Sequence, residues 1–180
     1  MTRTAGVMRQ RAAVIGLVVA LAGSALLGLV GGLVWSEIAP RAALQEISAG
    51  TAEVVNAETR AFIGADGWFC VIAAVLGLLT GVIGYQAGIA RRDGPIRIAV
   101  TIGLIAGAVA GSFVMLWLGQ QIGLGTYQQH LAHAAAGTTF NASLMLGAQS
   151  ALVFWPLLTS IVIVVAEIGH GRAAQEPALP

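Results

Sequence analysis

From Gly67 to Ala90 the chain runs without a charged residue, bounded by Asp66 on one side and Arg91-Arg92 on the other. An apolar stretch of this length, held between an acid and a basic pair, is the pattern of a helix crossing a bilayer toward its positive side. Hydrocarbon offers the backbone no hydrogen-bond partner, so such a stretch must satisfy its own amides as ~20 residues of helix. Three further uncharged stretches are long enough for the same, with much less written around them: 12–36, 98–119 and 144–166. The expected fold is therefore an all-α integral membrane protein. It has four transmembrane helices in a glycine-rich bundle, with a small extracytoplasmic hairpin and helix inserted between the first two. Composition agrees: 57% of the residues are hydrophobic and 9% charged, against about 25% charged in soluble domains. A net charge of +1 leaves no basic face for nucleic acid.

Charge placement sets the expected orientation. Residues 1–11 carry Arg3, Arg9 and Arg11 without an acid, the 91–97 loop carries Arg91, Arg92 and Arg97, and the 167–180 tail carries Arg172. Only Arg41 and Arg60 fall on the other side, where Glu37, Glu46, Glu53, Glu58 and Asp66 collect. Arginine is retained in the cytoplasm, so both termini are expected there, in the plasma membrane. The 12–36 run exceeds the ~7–15 residues of a signal-peptide core, and it reads as an uncleaved span.

Small residues recur inside the spans. Gly16, Ala20, Ser24, Gly28 and Gly32 share one helix face at four-residue spacing, Gly77/Gly81 and Gly84/Gly88 form pairs in span two, and Gly103, Gly107 and Gly111 repeat in span three. Such faces let helix backbones approach closely. They serve either the bundle's own interior or a partner helix. Cys70 lies within span two and, as the only cysteine, forms no internal disulfide. An apolar setting keeps such a thiol inert.

The loops carry what remains. Trp35 sits where an interfacial aromatic anchor belongs and Pro40 stops the first helix, and within 37–66 Ala43–Ile47 and Ala52–Val55 read as strands around a Ser-Ala-Gly-Thr turn. Asn56 is a candidate N-cap for a helix from Ala57, and Asp66 a candidate outer-face cap for span two. In 120–143, Thr126 is a candidate cap for a short interfacial helix, Tyr127–Ala136. His130 and His133 lie three apart on that helix, a spacing used by metal sites. A site needs three or four ligands, so the pair reads equally as polar surface. Phe154-Trp155-Pro156 falls inside span four and predicts a kink.

No glycine loop precedes a Lys-Ser/Thr pair, no His-Glu-x-x-His is present, and no ionisable residue sits at the centre of a span. The sequence thus speaks against an enzyme or a pump, and no cofactor is expected.

The run Glu58-Thr59-Arg60-Ala61-Phe62-Ile63-Gly64-Ala65-Asp66-Gly67-Trp68-Phe69, followed by Gly77-Leu78-Leu79-Thr80-Gly81 and Tyr85, resembles a group of small actinobacterial membrane proteins classed as a domain of unknown function. The resemblance implies a four-helix plasma-membrane protein and carries no activity with it. The favoured expectation is a non-enzymatic accessory or structural component of a cell-envelope assembly, contacting membrane lipid and another envelope protein or a second copy of itself. Two other readings remain. One is an oligomeric channel or facilitator for a small polar solute, drawn from Gln120, Gln121, His130 and Thr138. The other is an outer-face metal or catalytic site built from Glu58, Asp66, His130 and His133.

Overall fold

The computed structural model describes residues 2–48, 51–55, 60–90, 92, 94–133 and 137–173. Helix α1 spans Thr2–Ile38, α2 Ala61–Gly84, α3 Gly94–Gln121, α4 Leu124–His133 and α5 Phe154–Ala173. A π-helical turn, Tyr85–Ile89, extends α2, and a 3-10 turn, Gln149–Val153, leads into α5. Four of the described helical stretches are long and apolar enough to cross a membrane: Gly6–Ile38, Ala61–Ile89, Gly94–His130 and Gln149–His170. This is the architecture of a multi-pass membrane protein. The first helix continues through the basic segment expected to precede it. At ~1.5 Å per residue its 37 residues overhang a ~30 Å hydrocarbon core.

Two helix pairs make the bundle, α1 against α3 and α2 against α5. Both are closed by small residues. A Cβ on Gly28 would stand 2.5 Å from the Gly111 carbonyl oxygen, and one on Gly32 2.8 Å from that of Met115. On the facing helix, a Cβ on Gly103 would meet Leu17 Cα at 3.0 Å, and one on Gly107 would meet Ser24 Oγ at 2.7 Å. Gly111 is pressed between the Ser24 carbonyl and the Trp155 ring. The stripe on α1 and the stripe on α3 are therefore the two halves of one seam.

The second pair adds polar ties. A Cβ on Gly77 would lie 2.8 Å from the Trp155 carbonyl oxygen, and one on Gly81 2.6 Å from Val162 Cβ. Thr159 Oγ1 donates to the Gly77 carbonyl at 3.1 Å, and Trp155 Nε1 donates to Thr80 Oγ1 at 3.1 Å. Inside a membrane such bonds satisfy groups that lipid cannot.

Trp35, Phe69, Met115 and Trp155 fill the centre, all fully buried. Trp35 meets Phe69 edge to face at 5.2 Å and donates from Nε1 to the Ala65 carbonyl at 2.9 Å. Trp35 is thus a core residue rather than the interfacial anchor its sequence position implied. Trp68 and Trp117, by contrast, are exposed on the outside of the bundle. At the arginine-rich end an Arg97–Glu167 ion pair joins α3 to α5.

Two further expectations are corrected. Pro156 lies in the first turn of α5, where a missing N–H costs no helical bond, so it opens the helix instead of kinking it. Asp66 is not the N-cap of α2, which begins five residues earlier after Arg60. The candidate N-cap Asn56 lies outside the described residues.

Candidate functional site at the sheet end

The two connecting segments at the end opposite Arg97 form one structure. Strands β1 (Ala43–Ser48) and β2 (Thr51–Val54) make the expected hairpin, with an irregularity between Glu46 and Ser48. A third strand, β3 (Thr139–Asn141), pairs antiparallel with β1 from the other connecting segment. The sheet order is β2-β1-β3, with Ala43 facing Asn141, Leu44 facing Phe140 and Gln45 facing Thr139. Alternation along the strands buries Leu44 and Phe140 and leaves Ala43, Gln45, Thr139 and Asn141 exposed.

Phe140 also seats α4. The His130 ring stacks on it at 5.4 Å with 14° between planes, and Tyr127 meets it at 6.0 Å. Gly123, at φ +88°, makes the turn from α3 into α4 that an L side chain would resist. Thr126 therefore lies inside α4 instead of capping it. The helix is described as far as His133, and 134–136 of the expected Tyr127–Ala136 lie outside the described residues.

Between α4, β3 and the chain after α1 lies a hollow of about 330 Å3, lined among others by Arg41, Thr126, Tyr127, His130, Asn141 and Ser143. A neighbouring hollow of about 310 Å3 shares Arg41 and Asn141 and adds Ser36 and Glu37. Arg41 Nη2 donates to the Ser36 carbonyl at 3.1 Å. That carbonyl belongs to the last turn of α1, where a cation offsets the negative helix end.

Asp66 performs a capping role across the molecule. Its Oδ1 accepts from the Gly147 N–H and its Oδ2 from the Ala148 N–H, each at 2.9 Å. Ala148 is the N-cap of the 3-10 turn, so one carboxylate in α2 anchors the start of the fourth span.

The histidine and acid candidates do not converge on a ligand set. Asp66 is committed to Gly147 and Ala148, His130 is stacked on Phe140, and Glu58 lies outside the described residues. His133 is the last described residue of α4, and among the described residues no three His, Cys, Asp or Glu side chains are grouped to hold a metal. Arg41, Phe140 and Asn141 are the site residues that sequence reading missed. The polar–aromatic–polar alternation of Thr139-Phe140-Asn141 is the only local signal, and three residues are too few to show a strand period.

Comparison with models of known protein families, with curated proteins and with solved structures found no match to the chain.

Proposed function

We propose that this chain is a non-enzymatic integral protein of the plasma membrane, both termini cytoplasmic, serving as an accessory or structural component of a cell-envelope assembly. On this reading the sheet-and-α4 cap faces outward and docks the partner. The observation that carries the proposal is the pairing of β1 with β3, segments separated in sequence by the second and third spans and α4. Joining the four spans does not require that pairing. It builds an ordered polar platform where two loose connections would suffice. The glycine seams support the same assignment by elimination: Gly28, Gly32, Gly77, Gly81, Gly103, Gly107 and Gly111 all press on other spans of the same chain. A partner is then left with the cap or the lipid-facing helix sides. The likeness of 58–69 to actinobacterial membrane proteins adds an actinobacterial origin to the proposal.

Native mass spectrometry of the protein extracted from its host in mild detergent tests this. A stoichiometric second protein is expected, and Thr126→Trp, which fills the hollow beside Arg41, should release it. A lone or self-associated chain, with the variant behaving identically, would count against the docking role.

A facilitator for a small polar solute is the alternative, drawn from the polar hollow around Thr126, His130 and Asn141. Trp35, Met115 and Trp155 fill the bundle below it, so a route would run between copies. Liposome flux no faster than in empty vesicles removes that reading.

A further inference from the structure

The arginine-rich half of the bundle is not closed. α1 is held to α3 and α2 to α5, and a groove runs between α1 and α2 with Val100 and Leu104 of α3 as its floor. Two hollows of about 580 and 440 Å3 make it continuous, because both include Val19, Ala20, Ile83, Gly84 and Leu104. Volumes of this order, ~300–1,000 Å3, are those of small-ligand sites. Gly16, Gly84 and Gly88 give the groove depth. The π-helical turn Tyr85–Ile89 supplies Ala87 and Gly88 to its wall, and such turns recur at functional sites.

One end of the groove is charged. Arg92 lines the mouth and comes close enough to Gly16 that a Cβ there would stand 3.3 Å from Nη1. The Arg9 guanidinium lies beside Gly94, where a Cβ would meet Nη2 at 2.7 Å. Among the described residues neither arginine has a carboxylate partner; the ion pair at this end is Arg97–Glu167. An aliphatic trough with Arg92 at its mouth and Arg9 nearby, neither paired to a carboxylate among the described residues, complements an amphiphile with a negative head.

We propose that this groove is a binding site for an anionic glycerophospholipid, with an acyl chain between α1 and α2 and the phosphate on Arg92, supported by Arg9. Lipid tails are as apolar as the groove wall, so burying one chain in place of another brings no transfer energy. Selectivity then resides in the head. A guanidinium presents paired donors to phosphate oxygens, and a zwitterionic lipid sets its own ammonium against that attraction. The site does not depend on a docking role for the cap.

Native mass spectrometry of the full chain in mild detergent, with equimolar phosphatidylglycerol and phosphatidylcholine of matched chains, tests the proposal. The wild type should retain phosphatidylglycerol about fivefold over phosphatidylcholine, the equivalent of ~1 kcal/mol for a basic group beside anionic heads. R92Q should bring the two lipids near parity, and R92K should restore most of the preference. A87F, which fills the trough from an exposed position, should lower occupancy by both lipids. Arg92 is exposed, so R92Q is expected to elute as the wild type does. Equal retention of the two lipids by the wild type would overturn the site. So would a monodisperse R92Q protein that keeps the full preference.

Discussion

At the scale of single residues, glycine and aspartate have roles that their neighbours in the chain do not reveal. Gly28 faces backbone, with the Gly111 carbonyl oxygen 2.5 Å and the Gly111 Cα 3.1 Å from where its Cβ would be. Backbone cannot rotate away as a side chain can. Gly28→Ala should therefore cost ~1–3 kcal/mol, the range for overpacking a tight interior. Gly23, five residues earlier on the same helix, has nothing within 4 Å. Gly23→Ala should be neutral or stabilising by up to ~1 kcal/mol through the lost backbone freedom of glycine. Denaturant titration of both variants in detergent separates the two outcomes, and equal effects would refute the seam. Asp66 makes a second test. Its two oxygens hold the N–H groups of Gly147 and Ala148, so Asp66→Ala should lose ~0.5–2 kcal/mol, as other helix caps do. Asp66→Asn keeps one acceptor oxygen and should retain about half of that. A wild-type unfolding midpoint for Asp66→Ala would show that the contact contributes nothing.

At the scale of elements, the decisive contact is strand β3 on strand β1. Ala142 N–H donates to the Ala42 carbonyl at 2.8 Å, which makes the facing pair Gln45 and Thr139 a non-hydrogen-bonded one. Cα atoms in such pairs lie ~4.5 Å apart, within reach of a disulfide. In a Cys70→Ala background, Gln45→Cys with Thr139→Cys should cross-link under mild oxidation and change mobility on a non-reducing gel. Gln45→Cys with Thr126→Cys serves as the comparison, since those two positions share no strand register. Failure of the first pair to cross-link would mean that the two connecting segments do not zip together. The elements themselves were largely legible: the four spans, the β1–β2 hairpin and the short helix near His130 all follow from hydropathy and turn residues. What escaped was where each begins. Pro156 was misplaced because an uncharged run shows where hydrocarbon can lie, and 144–148 are uncharged yet not helical. Trp35 was misread because an aromatic near a span end looks the same in sequence whether it turns to lipid or to Phe69.

For the whole molecule, orientation is the testable property. The arginine bias predicts that residue 11 lies in the cytoplasm and residue 139 outside. In intact cells carrying the Cys70→Ala background, a membrane-impermeant maleimide should label Thr139→Cys and leave Arg11→Cys unlabelled until the cells are opened. The reverse pattern would invert the protein and move the cap to the cytoplasm.

The four-span plan, the sides on which arginine accumulates and the small-residue faces were determined by the sequence alone, because hydropathy, charge and four-residue spacing are local properties of a helix. Tertiary structure alone decided that the α1 stripe meets the α3 stripe, that Asp66 in one span caps another, and that β3 completes the sheet of the first connecting segment. Each of these depends on which surfaces fit when the spans gather. A glycine face is equally suited to several neighbours, and a lone carboxylate to any exposed N–H. The choice is made by shape and by backbone groups that find partners only once the helices are side by side.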